Sequence, residues 1–147
     1  MDRPQLLLEN QLCFPMYSVS RLITQAYKPY LDNLGLTYPQ YLVMLVLWEN
    51  DEVSVNHITQ KLLLNTNTVS PLLKRMEKQG LVERRRSKED ERAVIVKLTK
   101  KGKSMHDAAA QIPHQLMEEV SSGDMSTEEV NNLKTTLCKW MDILSKR

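Results

Sequence analysis

The stretch Asn65–Thr99, NTNTVSPLLKRMEKQGLVERRRSKEDERAVIVKLT, joins an amphipathic helix to a densely basic hairpin. Val69, Leu72, Leu73 and Met76 recur at the i, i+3, i+4, i+7 spacing of one apolar helix face. The opposite face then carries Asn67, Thr68, Ser70, Lys74 and Arg75, side chains suited to base edges and phosphates. Gly80 stops the helix, and Leu81–Ser87 and Ala93–Thr99 read as two strands, the second alternating at Val94, Val96 and Leu98. Between them lies a charged tip, Lys88 to Arg92.

Charge is concentrated in this region, although the whole chain carries only +2. Residues 74–103 hold twelve Lys/Arg against five Asp/Glu, a net +7, whereas residues 1–73 hold four against six and residues 104–147 four against seven. A basic segment between mildly acidic ones is the pattern of a polyanion-binding surface. A solvated charged hairpin is the alternative on charge alone. Its attachment to an amphipathic helix favours the polyanion.

With 147 residues, 41% of them hydrophobic, the chain has the size of one domain with a real core. Four Gly and six Pro are few for an all-β fold and fit a mainly helical one. No run reaches the roughly 18 apolar residues of a membrane span, and Leu6–Leu8 is too short for a signal peptide core. The expected location is the cytoplasm. Cys13 and Cys138 form neither a disulfide framework nor, with the three His, a metal site, and no cofactor is implied. Phosphate-binding glycine loops and nucleophile triads are lacking as well.

Working outward, a first helix is expected from about Asn10 to Asn33, with Leu12, Met16, Val19, Ile23, Ala26 and Tyr30 on one side. Thr37 and Gln40 make a capping box for a second helix reaching about Asn50, whose continuous apolar content makes it the hub of the fold. Ser54 caps a short third helix with Val55, Ile58 and Leu62. A turn at Leu64 and Asn65 links it to the basic helix, so the pair reads as a helix-turn-helix and the hairpin as its wing. Lys100–Val120 reads as a helix kinked at Pro113. Ser126 and Glu129 cap the last one, where Val130, Leu133, Leu137, Trp140 and Leu144 form a seam of coiled-coil type. The terminal helices are read as a dimerisation layer; completion of a monomeric core is the alternative, since it uses the same spacing.

The expected class is therefore mainly α with a small β-hairpin wing (α+β). One chain unit, 1–147, divides into a winged helix-turn-helix at 37–99 and dimerisation helices at 8–34 and 100–147.

With this layout, EDERAVIVKLTKKG resembles the wing of the MarR family of bacterial regulators. ENQLCF followed by MYS, then YKPYLDNLGLTYPQYLVMLVLWE and SPLLKRMEKQGLVERRRSKEDER, resembles its organic hydroperoxide sensing branch, over Leu8 to about Pro113. The resemblance implies a DNA-binding repressor in which a peroxide oxidises Cys13, surrounded by Tyr17, Tyr27 and Tyr38. It further implies that Tyr27 and Tyr38 come from the other protomer of a homodimer.

The residues allow two readings of Cys13: a small buried hydrophobe, or a reactive thiol, which needs access and a depressed pKa. Pro15 belongs in a first helical turn, so the positive end of the first helix falls near Cys13. Tyr17 follows at i+4, whereas Tyr27 lies more than three turns away and must reach Cys13 from a partner. The expected cycle is oxidation to a sulfenic acid, then capture by a low-molecular-weight thiol or further oxidation. Cys138, among apolar seam positions, is expected to pack. Two-cysteine members of the branch carry a resolving thiol in the region of Ser121–Gly123, and this chain has none there.

The expected DNA contacts are Asn67, Thr68, Ser70 and Arg75 nearest the bases, with Lys74, Arg84, Arg85, Arg86 and Lys88 toward phosphates and Asn65 and Thr66 at the start of the same DNA-binding helix. Asp90 and Arg92 match the family's wing motif, in which the arginine enters the minor groove and the aspartate braces the wing. Paired protomers imply a pseudo-palindromic double-stranded operator. Where the branch begins this helix with Asp-Ser-Gly-Thr, this chain has Asn65, Thr66, Asn67 and Thr68, so the operator does not carry over. Two rivals are a regulator released by a small phenolic or aromatic ligand and a thiol peroxidase, which needs a resolving thiol.

Overall fold

A computed structural model describes residues 3–121 and 123–147. Two 3-10 turns, Pro4–Leu6 and Leu8–Asn10, precede α1 (Cys13–Asp32). The first helix thus begins three residues later than the apolar spacing predicts. Asn10 Nδ2 donates to the Pro4 carbonyl and Gln11 Nε2 to those of Gln5 and Leu7, so local side-chain bonds hold the segment in turns. Pro15, which cannot donate a helical hydrogen bond, falls in the first turn of α1 as expected.

The hub is α2 (Tyr38–Glu49), which opens on the expected Thr37/Gln40 capping box and buries Gln40, Tyr41, Val43, Met44, Val46 and Leu47. After it come β1 (Val53–Ser54), α3 (Val55–Leu62), α4 (Thr66–Lys78), β2 (Val82–Arg86) and β3 (Val94–Leu98). Ser54 caps α3 through the His57 N–H, and Leu63 turns the chain in the left-handed region (φ 55°) before Asn65 caps α4. The four apolar positions of α4 are all buried, as its spacing predicts.

The hairpin has a third strand that the sequence reading lacked. β1 pairs antiparallel with β3, giving the order β1-β3-β2 with Val53 opposite Val96 and Arg84 opposite Val96 on the other side. Two residues are too short to show a period. Asp51 anchors this edge by accepting from the Leu98 N–H at 2.8 Å and the Glu52 N–H at 2.9 Å.

The segment expected as one kinked helix is three: α5 (Lys100–Ser104), α6 (His106–Ala109) and α7 (Ile112–Val120). Pro113 opens α7 rather than bending a longer helix, because its ring is accommodated where the N–H would be unpaired anyway. α8 (Thr127–Ser145) carries the Ser126/Glu129 capping box and buries no residue. α1 buries only Leu31. In contrast to the closed core around α2, α4 and the sheet, Val19, Leu22 and Ile23 of α1 and Leu133, Met141 and Leu144 of α8 are exposed, as is Leu12 just before α1.

Candidate nucleic-acid interface and thiol site

Asn67, Ser70 and Lys74 share one side of α4 by their spacing, with Thr66, Asn67, Thr68, Lys74 and Arg75 exposed and Ser70 half-buried. Pro71 lacks an N–H, which releases the Asn67 carbonyl from the helical ladder on that side. Asn65 is engaged as the helix cap: its Oδ1 accepts from the Thr68 N–H at 2.9 Å and from Thr68 Oγ1 at 3.2 Å. Asn65 thus orients the helix start, and its side-chain oxygen is not free for a base.

In the wing, Ser87 N–H donates to the Ala93 carbonyl at 2.8 Å and Ala93 N–H to the Asp90 carbonyl at 2.9 Å. Asp90 Oδ1 accepts from the Arg92 N–H at 3.0 Å, and Ser87 Oγ accepts from the Glu89 and Asp90 N–H groups. Arg86 Nη1 binds the Glu91 carbonyl at 2.9 Å. This tip, closed by its own hydrogen bonds, presents Arg85, Lys88 and Arg92, whose side chains are exposed and unpaired among the described residues.

Arg84 differs from them. Its Nη2 donates to Glu77 Oε1 at 3.1 Å and its backbone N–H to Glu77 Oε2 at 3.2 Å. The hydrogen bond from Arg84 holds the Glu77 carboxyl below its ordinary range. The pair straps the wing to α4, so the guanidinium expected to face a phosphate is engaged within the protomer through Nη2.

Cys13 is the first residue of α1 and is exposed, as is Cys138. No side chain caps that helix end, which leaves its first-turn N–H groups without a side-chain acceptor. Tyr17 stands beside it, 67% exposed, with the Arg21 guanidinium 6.0 Å from its ring centre. Tyr27 and Tyr38 are elsewhere. Their rings lie 5.0 Å apart in a cluster completed by Tyr41, 5.6 Å from Tyr27 and 6.3 Å from Tyr38. Along α1, Tyr27 is about 20 Å from Cys13. Burial pushes Tyr27 up to about 12, helped by Tyr38 and Tyr41, and raises the other two as well. All three therefore stay protonated donors at neutral pH.

Sequence reasoning missed Tyr41, although its position one turn after Tyr38 was a usable signal. Cys138, expected to pack in the seam of α8, is exposed in the single protomer, where α8 has no buried residue. Of the region Ser121–Gly123, read as lacking a resolving thiol, Ser122 lies outside the described residues. No group of metal-binding side chains occurs among the described residues, and no helix there is long and apolar enough to cross a membrane.

Comparison with known proteins agrees with this layout. The family model for the transcriptional regulators SarA/Rot matches residues 25–109. The chain is 43% identical over 140 residues to the organic hydroperoxide resistance transcriptional regulator of Bacillus subtilis, covering 95% of this chain and 93% of that one. The structure of reduced AbfR bound to DNA superposes with TM-score 0.81 at 36% identity, covering 99% of this chain and 98% of that one. Overoxidised AbfR, also bound to DNA, gives 0.77 at 36% identity, with 98% and 99% covered. MarR of E. coli, at 23% identity, TM-score 0.72 and coverage of 89% and 97%, shares the fold. The chain belongs to the MarR family of winged helix-turn-helix transcriptional regulators, in the organic hydroperoxide resistance branch.

Proposed function

We propose that this chain is a homodimeric repressor that binds a pseudo-palindromic operator and releases it when an organic hydroperoxide oxidises Cys13. The observation that carries this reading is the exposed thiol at the uncapped end of α1, a helix whose apolar side the protomer leaves open. A second copy covering α1 and α8 brings the partner's tyrosine cluster toward Sγ, where phenol O–H groups stabilise a thiolate as donors. Residues 37–99 then bind DNA, and residues 8–34 and 100–147 make the dimer. The chain works in the cytoplasm, where a thiol stays reduced until challenged.

In the reaction, thiolate sulfur attacks the outer peroxide oxygen: an S–O bond forms, the O–O bond breaks, and the alkoxide leaves as alcohol after taking a proton. Sulfur is oxidised and the peroxide reduced. A low-molecular-weight thiol then displaces water from the sulfenic acid, forming a mixed disulfide. Loss of the thiolate, or an adduct at the dimer layer, shifts the two recognition helices and wings off their grooves. On DNA, α4 enters the major groove and Arg92 the minor groove, with Arg85 and Lys88 near phosphates.

The test is operator binding with and without cumene hydroperoxide. Release by the wild type and retention by Cys13→Ser support the reading; equal release by both refutes it. A second reading, release by a small phenolic ligand, has one observation in its favour, a cleft of about 280 Å³ lined by Tyr41, Leu45, Trp48, His106, Ala109 and Pro113. Release by salicylate without oxidant distinguishes it. The relatives are regulators rather than enzymes by name, and peroxide consumption under excess reductant separates a sensor from a thiol peroxidase.

A further inference from the structure

The C-terminal end of α4 is held by polar contacts that the functional reading leaves unused. Gln40 is only 5% exposed, and its side chain is bonded at both ends. Oε1 accepts from the Thr37 N–H at 3.1 Å, and Nε2 donates to Gln79 Oε1 at 2.9 Å. Gln79, which ends α4, passes the connection on: its Nε2 donates to the Gly35 carbonyl at 3.2 Å, and its own carbonyl accepts from Lys101 Nζ at 3.0 Å. Gly35 holds the turn between α1 and α2 in the left-handed region (φ 69°).

Apolar packing of Leu72, Leu73 and Met76 keeps α4 against the core, but such attraction is non-directional and permits a helix to roll or slide. Hydrogen bonds are directional and fix both. The Gln40–Gln79–Gly35 chain is therefore the contact that sets the roll of α4 against the turn ending α1. We infer that Gln79, buttressed by Gln40, is a positioning residue for operator recognition, holding each recognition helix at a defined angle to the dimer layer and so setting the half-site spacing the protein accepts. The inference rests on the reading of α4 as the recognition helix.

To test it, the full-length wild-type chain selects an operator from a random duplex pool, and that operator is remade with one base pair added or removed between half-sites. Gln79→Met keeps the length and the backbone contact to Lys101 but removes the amide. It should bind the selected operator about tenfold more weakly, the worth of one or two neutral hydrogen bonds. The penalty for altered spacing should shrink by a similar factor, while affinity for random duplex at matched salt stays unchanged. Gln79→Glu, which still accepts from Gln40 but cannot donate to Gly35, should fall between. A Gln79→Met chain with wild-type spacing discrimination, or one weakened equally on every duplex, overturns the proposal alone. A wild-type chain that enriches no sequence overturns the DNA-binding reading and this proposal with it.

Discussion

Gly102 closes the wing motif, and its replacement by alanine is a sharp test of how the wing is mounted. A Cβ built there would overlap the Leu81 carbonyl oxygen and crowd Leu98 Cδ2 at 3.1 Å. The first neighbour is backbone and cannot rotate away, so α5 must move. That movement pulls on two further bonds of Gly102: its carbonyl accepts from Trp48 Nε1 at 3.0 Å, and its N–H donates to Thr99 Oγ1 at 3.1 Å. Against these losses stands the better helix propensity of alanine, about 1 kcal/mol. Overpacking costs about 1 to 3 kcal/mol, and weakening the indole bond adds about 1 kcal/mol. The steric side wins, for a net loss of about 1 to 3 kcal/mol. Thermal unfolding at fixed protein concentration should show the midpoint falling by about 2 to 4 °C per kcal/mol. Trp48→Phe alone should cost about 1 kcal/mol, and less in the Gly102→Ala background, because the bond is already strained. An alanine variant as stable as the wild type refutes the reasoning.

Three more expectations concern the wing, the helix-turn-helix corner and the tyrosine cluster. Arg92→Ala should weaken operator binding by about 1 to 3 kcal/mol, and Asp90→Ala should follow it in part by loosening the tip; unchanged titrations at moderate salt count against both. Leu63 sits in the left-handed region, where a β-branched side chain is strained, so Leu63→Val should lower stability to urea by about 1 to 2 kcal/mol, and equal midpoints would falsify that account. Because Tyr27 is raised from 10.0 to about 12, its contribution to folding is complete below the first value and disappears as pH climbs to the second. The ring is half open to solvent, so the loss is about 1 kcal/mol or less. Tyr27→Phe should show a shallower alkaline decline than the wild type in unfolding experiments, and an identical slope rules the cluster out as its source.

The features legible from residue order alone were local. The apolar faces of α2 and α4, the capping boxes at Thr37 and Ser126 and the stop at Gly80 depend on neighbours three or four positions away, and these elements stand where the spacing put them. Cys13 at the first turn of α1 was readable for the same reason, from Pro15. Which polar residues are already engaged became visible only in the folded chain. Arg84 is bound to Glu77, Asn65 to Thr68, Gln40 to Gln79 across 39 positions, and Trp48 to Gly102 across 54. Strand β1 belongs to the same class, because it arises from pairing across the sheet with β3. Periodicity reports which face of a segment avoids water, whereas the partner of a hydrogen-bonding group depends on where the folded chain brings distant atoms within about 3 Å.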